Sequence, residues 1–141
     1  METYEAPGFK KYPDYKIEIS RSGALHQIIF NEAVIAASDK ALIVKEGQYA
    51  PVIYFPPESI EQRWFRATQH HTHCPFKGDA SYWTVHAYGA RENNAAWSYS
   101  DPFKEVDELK GYVAFHMDRM TCYWRDGVEQ PLSGTALKNA A

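Results

Sequence analysis

The chain has 141 residues, of which 45% are hydrophobic and 15% aromatic, and a formal charge of -3. That length suits one domain and buries roughly two-thirds of the unfolded surface, so the core needs no disulfide or metal staple. The mild acidity offers no general pull on phosphate backbones, and no run approaches the roughly 18 apolar residues of a membrane span, so neither nucleic acid nor a membrane is an expected partner.

Residues 1–15, rich in Tyr, Pro, Lys and Glu and without a period, read as an arm laid over the surface or partly disordered. They lack the apolar block of a signal peptide, which makes a cytosolic protein the expectation. A single β-rich domain is expected over residues 16–125. "YKIEIS" alternates Ile17 and Ile19 with charged residues, as a half-buried strand does. "LHQIIF" and "AVIAAS" flank Asn31-Glu32 as a hairpin, and "ALIVKE" and "VIYF" are further strands. The two prolines of "PPESIEQRWF", with Ile60 and Trp64 one turn apart, predict a short helix. Residues 67–80 read as a loop, followed by the strands "SYWTVHAY" and "AAWSYS". A second short helix should start at an Asp101 cap with Pro102 in its first turn and close at Gly111. "YVAFHM" and "MTCYW" read as a closing hairpin joined at Asp118-Arg119, and residues 126–141 as a polar tail that frays. Many short strands with two minor helices make the fold mainly β.

The chemistry concentrates around "HHTHCPFKGDASYW". His70, His71, His73 and Cys74 are common metal ligands, and in an extended segment His71 and His73 face one side while Cys74 faces the other. A third ligand would have to come from His86 or His116. No standard spacing is present, solvated loop histidines are the commoner outcome, and neither metal nor cofactor is expected. Cys74 and Cys122 are the two cysteines, in no C-x-x-C pair, and should be reduced thiols. His73 and Lys77 are near enough in sequence to acidify the Cys74 thiol. Lys77-Gly78 reverses the order that a phosphate loop needs, yet a turn at Gly78 could present backbone N–H groups beside the Lys77 ammonium to an anion. Glu105 and Asp107, two apart on a helix, diverge, which disfavours two-metal phosphoryl transfer. No G-x-S-x-G elbow supports a serine hydrolase. Trp97 and Tyr99 share one face of a strand and could line a pocket, although such residues are core more often.

Four stretches, "EGQYAPVIYFPPESI", "THCPFKGDASYW", "NAAWSYSDP" and "GYVAFHMDRM", resemble in order and spacing the domain-of-unknown-function family numbered 427. The resemblance runs from about Tyr15 to about Trp124. It implies a β-tent-like domain of bent antiparallel sheets, a fold shared with B-type methionine sulfoxide reductases and several zinc-carrying domains. The paired C-x-x-C motifs that hold zinc in those relatives are absent here. Phe76 stands where the family often has Trp or Tyr. A nucleotidyltransferase label has been attached to the family, and the lack of a converging carboxylate pair gives it no support. Position by position, the motif residues are Glu46, Tyr54, Thr72, Cys74, Pro75, Lys77, Gly78, Ala80, Tyr82, Ala96, Trp97 and Tyr99.

The resulting candidates are Cys74 as a catalytic thiol, with Glu46, Tyr54, His73, Lys77, Gly78, Tyr82, Trp97 and Tyr99 as ligand contacts. The leading expectation is a domain that binds a small polar or anionic molecule in a pocket near Cys74, Lys77 and Trp97. Thiol-dependent catalysis at Cys74 and a non-enzymatic interaction module are the alternatives.

Overall fold

Short runs of alternating side chains set the architecture. The structure, a computed structural model, describes residues 5–132. In chain order the strands are β1 (Ile17–Arg21), β2 (His26–Phe30), β3 (Ala33–Ser38), β4 (Leu42–Glu46), β5 (Val52–Tyr54), β6 (Phe65–Cys74), β7 (Gly78–Ala87), β8 (Ala90–Tyr99), β9 (Val113–Phe115), β10 (Cys122–Arg125) and β11 (Val128–Gln130). They form three sheets, ordered β1-β4-β5, β11-β10-β2-β3 and β6-β7-β8-β9. Every pairing is antiparallel, and the mainly-β expectation is met.

The third sheet lies between two apolar clusters. Ile28, Phe30 and Ile35 of the second sheet meet Val85, Ala96 and Phe115 on one face. Leu42, Val44 and Tyr54 of the first sheet meet Ala80, Tyr99 and Ala114 on the other. Strand alternation makes this double packing automatic, because successive residues point to opposite faces. In β9, Val113 and Phe115 enter the first cluster and Ala114 the second. An isolated antiparallel bridge between Phe55 and Val113 ties the first sheet to the third at this strand.

Four local expectations are corrected. Residues 67–80 are not a loop: β6 and β7 pair as far as Cys74 and Gly78, leaving only Pro75, Phe76 and Lys77 to turn. β6 is exposed along most of its length, so it shows no apolar alternation to read. "PPESIEQRWF" forms two 3₁₀ turns, Pro57–Ser59 and Gln62–Trp64, because Ile60 between them bridges to Ala36 as a strand residue would. The second helix is a 3₁₀ segment, Lys104–Leu109, interrupted at Val106, and its N-cap is Phe103 without a side-chain hydrogen bond rather than Asp101.

The closing hairpin is also absent. β9 pairs with β8, while β10 crosses to another sheet and pairs with β2. The hairpin at this end is β10–β11, turned by Asp126 and Gly127, both at positive φ. Part of the expected tail is therefore β11, and residues 133–141 lie outside those described. Of the arm, residues 5–15 are described. They include a helix, Pro7–Lys11, laid on the surface.

Candidate functional site

The site is built from the three-residue turn that joins β6 to β7. The Lys77 N–H donates to the Cys74 carbonyl at 3.3 Å, and the Lys77 carbonyl accepts from the Phe103 N–H at 3.0 Å. Gly78 follows at φ +117°, a conformation that strains any L side chain, and an added Cβ would stand 3.4 Å from the Asp101 carbonyl oxygen. This turn sends Lys77 inward, leaving it 7% exposed. Its Nζ pairs with Oε1 of Glu46 at the end of β4. Burying a charge costs several kcal/mol unless it is paired and hydrogen-bonded, and this pair links β4 of the first sheet to the β6–β7 turn of the third.

Glu46 holds a second donor. Its Oε2 accepts from the Tyr15 hydroxyl at 2.6 Å. Burial, aided by Glu46, pushes the Tyr15 phenol well above its ordinary range, so it stays protonated and donating. The Tyr15 ring stacks on Phe76 with centroids 4.0 Å apart, and Phe9 meets the same ring edge-on at 5.0 Å. Gly8 donates its N–H to the Pro75 carbonyl at 2.9 Å, and a Cβ there would stand 2.7 Å from the Phe76 ring. Only glycine lets the arm lie this close to the turn.

Behind the ion pair lies an aromatic wall. Tyr82 and Trp97 are cross-strand partners, as are Ala80 and Tyr99. Trp97 donates its indole N–H to the Tyr54 hydroxyl at 3.3 Å, and its ring lies 4.8 Å from the His116 imidazole. The Tyr82 and Thr72 hydroxyls are 3.0 Å apart. Burial above all drives the Tyr54 and Tyr99 phenols upward, with the Glu46 charge adding to both. Both therefore stay neutral. Cys74 is a free, half-buried thiol packed against the same cluster.

The fold thus brings Tyr54, Cys74, Tyr82, Trp97 and Tyr99 into one packed cluster, with the Lys77–Glu46 pair beside it and Gly78 shaping the turn. His73 is not part of it. Its Nδ1 lies 2.7 Å from Asp79 Oδ1, with the two side chains 57% and 81% exposed. His70 packs on the Tyr82 ring at 4.6 Å, and His71 is exposed. Among the described residues, no group of three or more His, Cys, Asp and Glu side chains is disposed to hold a metal ion. Sequence reasoning missed Tyr15 and His116. The resemblance begins at Tyr15, which was the available signal for the first. His116 was weighed only as a third metal ligand, and nothing in the sequence marked its place beside Trp97.

The model of a family described as a domain of unknown function (DUF427) matches residues 18–126. The chain belongs to that family, and Tyr15 with the rest of the arm precedes the matched stretch. No curated protein matches the chain. No helix among the described residues is long and apolar enough to cross a membrane.

Proposed function

For this chain of the DUF427 family we propose a cytosolic small-molecule-binding role, with the ligand held at the Lys77–Glu46 pair between the first and third sheets. One observation carries the reading. The Lys77 ammonium is buried, has three N–H donors, and is bonded to a single side-chain acceptor, Glu46, among the described residues. A carboxylate, phosphate or carbonyl oxygen of a ligand would take up the remaining donors, while Tyr82 and Trp97 offer apolar faces with polar tips. Because Glu46 already balances the Lys77 charge, the site favours a polar molecule of low net charge over a polyanion. That, with a chain charge of -3, supports a small ligand rather than nucleic acid.

A thermal-shift screen of small carboxylates, sugar phosphates and nucleotides tests this. A ligand at 100 times its Kd adds about 2.7 kcal/mol to stability. One class should raise the melting temperature of the wild type and leave Lys77→Met unmoved. An equal shift in the variant, or none in the wild type, would end the reading.

The half-buried Cys74 thiol in the same cluster favours a second reading, thiol chemistry on the bound molecule. Here Cys74 should alkylate faster than Cys122 at neutral pH. A Cys74 that titrates near the ordinary thiol value of about 8.5 and reacts sluggishly would leave only binding.

A further inference from the structure

Away from that ion pair, three side chains form a hydrogen-bonded line at the start of the second sheet. Ser22 Oγ lies 2.6 Å from His26 Nε2, and His26 Nδ1 lies 2.8 Å from the Tyr123 hydroxyl. Antiparallel pairing of β2 with β10 sets His26 opposite Arg125, which brings Tyr123, two residues earlier, onto the same face. The imidazole is 2% exposed and stacks on the Tyr123 ring at 5.9 Å and 13°. Phe55 meets it edge-on at 6.4 Å.

Burial first, and the Arg125 charge second, hold His26 below its ordinary pKa, with Asp126 opposing them. Burial likewise raises the Tyr123 phenol. A neutral imidazole has one N–H and one lone pair. With Nδ1–H donating to Tyr123, the Nε2 lone pair is left to accept the Ser22 hydroxyl proton.

The outer end of this line is open. Ser22 lines a recess of about 480 Å³ whose wall carries two cations, Arg21 and Lys40, and three carboxylates, Asp39, Glu58 and Glu108. An added Cβ at Gly23 would meet nothing within 4 Å, so a substrate can approach the backbone beside the hydroxyl.

We propose that Ser22 is a nucleophile, with His26 as its general base and Tyr123 as the residue that positions the base, and that it takes the acyl group of small carboxylic esters. A hydroxyl in hydrogen-bond contact with a neutral imidazole, an imidazole fixed by a third group, and a cavity at the hydroxyl are the arrangement that nucleophilic acyl transfer requires. Ser22 Oγ bonds to the acyl carbon as its proton passes to His26 Nε2. The tetrahedral adduct expels the alkoxide, which leaves with that proton as an alcohol. Water then attacks the acyl-serine, giving its proton to Nε2, and the carboxylic acid departs as Ser22 recovers its own. Tyr123 is neutral where a carboxylate would better stabilise the imidazolium, so turnover is slow and acylation is the step to observe.

The test treats the full chain with a fluorophosphonate probe and locates the adduct by intact mass and peptide mapping. We expect one adduct per chain, at Ser22, lost in a Ser22→Ala variant that remains folded by circular dichroism. The labelling rate should rise with pH through a midpoint below 6.5 and then level off, as His26 loses its proton. Tyr123→Phe, which keeps the ring but removes the partner of Nδ1, should slow labelling about tenfold. A folded wild type that stays unlabelled, an adduct that survives Ser22→Ala, or a rate without the midpoint below 6.5 would each overturn the proposal.

Discussion

The two faces of the third sheet differ in kind. Toward the second sheet, Val85, Ala96 and Phe115 meet Ile28, Phe30 and Ile35 with almost nothing polar between them. Toward the first sheet, Tyr54, Tyr82, Tyr99 and Trp97 surround a buried ammonium and its carboxylate. One strand set serves both, because alternate residues of β7, β8 and β9 face opposite ways. The first face is what a stable sheet packing needs. The second holds charge and hydroxyls that a purely structural core would do without, and the proposed ligand site rests on this contrast.

The contrast can be tested by substitution. Ile35→Ala opens a cavity at a fully buried site in β3 and should cost about 3 kcal/mol in denaturant unfolding. It should leave Cys74 alkylation unchanged, and a change would show that the two faces are coupled. Lys77→Met leaves Glu46 without its ion partner. Because Glu46 keeps 21% of its side chain exposed, the loss should be about 2 kcal/mol, below the roughly 3–5 kcal/mol of a fully buried pair. Adding Glu46→Gln should recover part of it, and a double variant no better than the single would remove the pair from the account. Tyr15→Phe deletes one hydrogen bond to the carboxylate and should cost about 1.5 kcal/mol. It should also speed proteolysis within residues 5–15, since that hydroxyl helps hold the arm.

The smallest effect is a pH dependence shared by both faces. Burial lowers the pKa of His26 beside the first cluster and of His116 beside Trp97. The unfolded chain takes up these protons near pH 6.5 while the folded chain still refuses them, so unfolding binds protons and stability rises with pH in that window. This contribution is complete above pH 6.5 and is lost as pH falls through the depressed folded values. Melting temperatures from pH 7.5 to 5 should fall, and His116→Gln should flatten the fall only in part, leaving the share of His26.

The sequence made the chemically busy turn visible but not its surroundings. Lys77, Gly78, Trp97 and Tyr99 could be singled out because a glycine turn and a strand face are local properties. Glu46 and Tyr54 entered only through the family resemblance, since the pairing of Glu46 with Lys77 spans 31 positions and has no local signature. β6 was read as a loop because an edge strand is held by backbone bonds to one neighbour and needs no apolar side chains. The paired segments of β9 and β10 misled for the opposite reason. Both are apolar and close in sequence, and only the three-dimensional course of the chain sends them to different sheets. Asp126-Gly127 carried a strong hairpin signal inside what was read as a tail. The line from Ser22 to Tyr123 joins two strands whose residues lie 97 positions apart and was beyond any spacing argument.

β6 also bears on edge-to-edge pairing between copies of this chain. It ends its sheet among the described residues and runs ten residues, Phe65–Cys74, long enough to template a strand from another chain. Its ladder is interrupted between Ala67 and His71, and Arg66, Gln69, His70, His71 and His73 stand exposed along it. An irregular, hydrated edge of this kind discourages continuous pairing with a second sheet. The histidines that first suggest a metal centre thus keep this edge polar and hydrated.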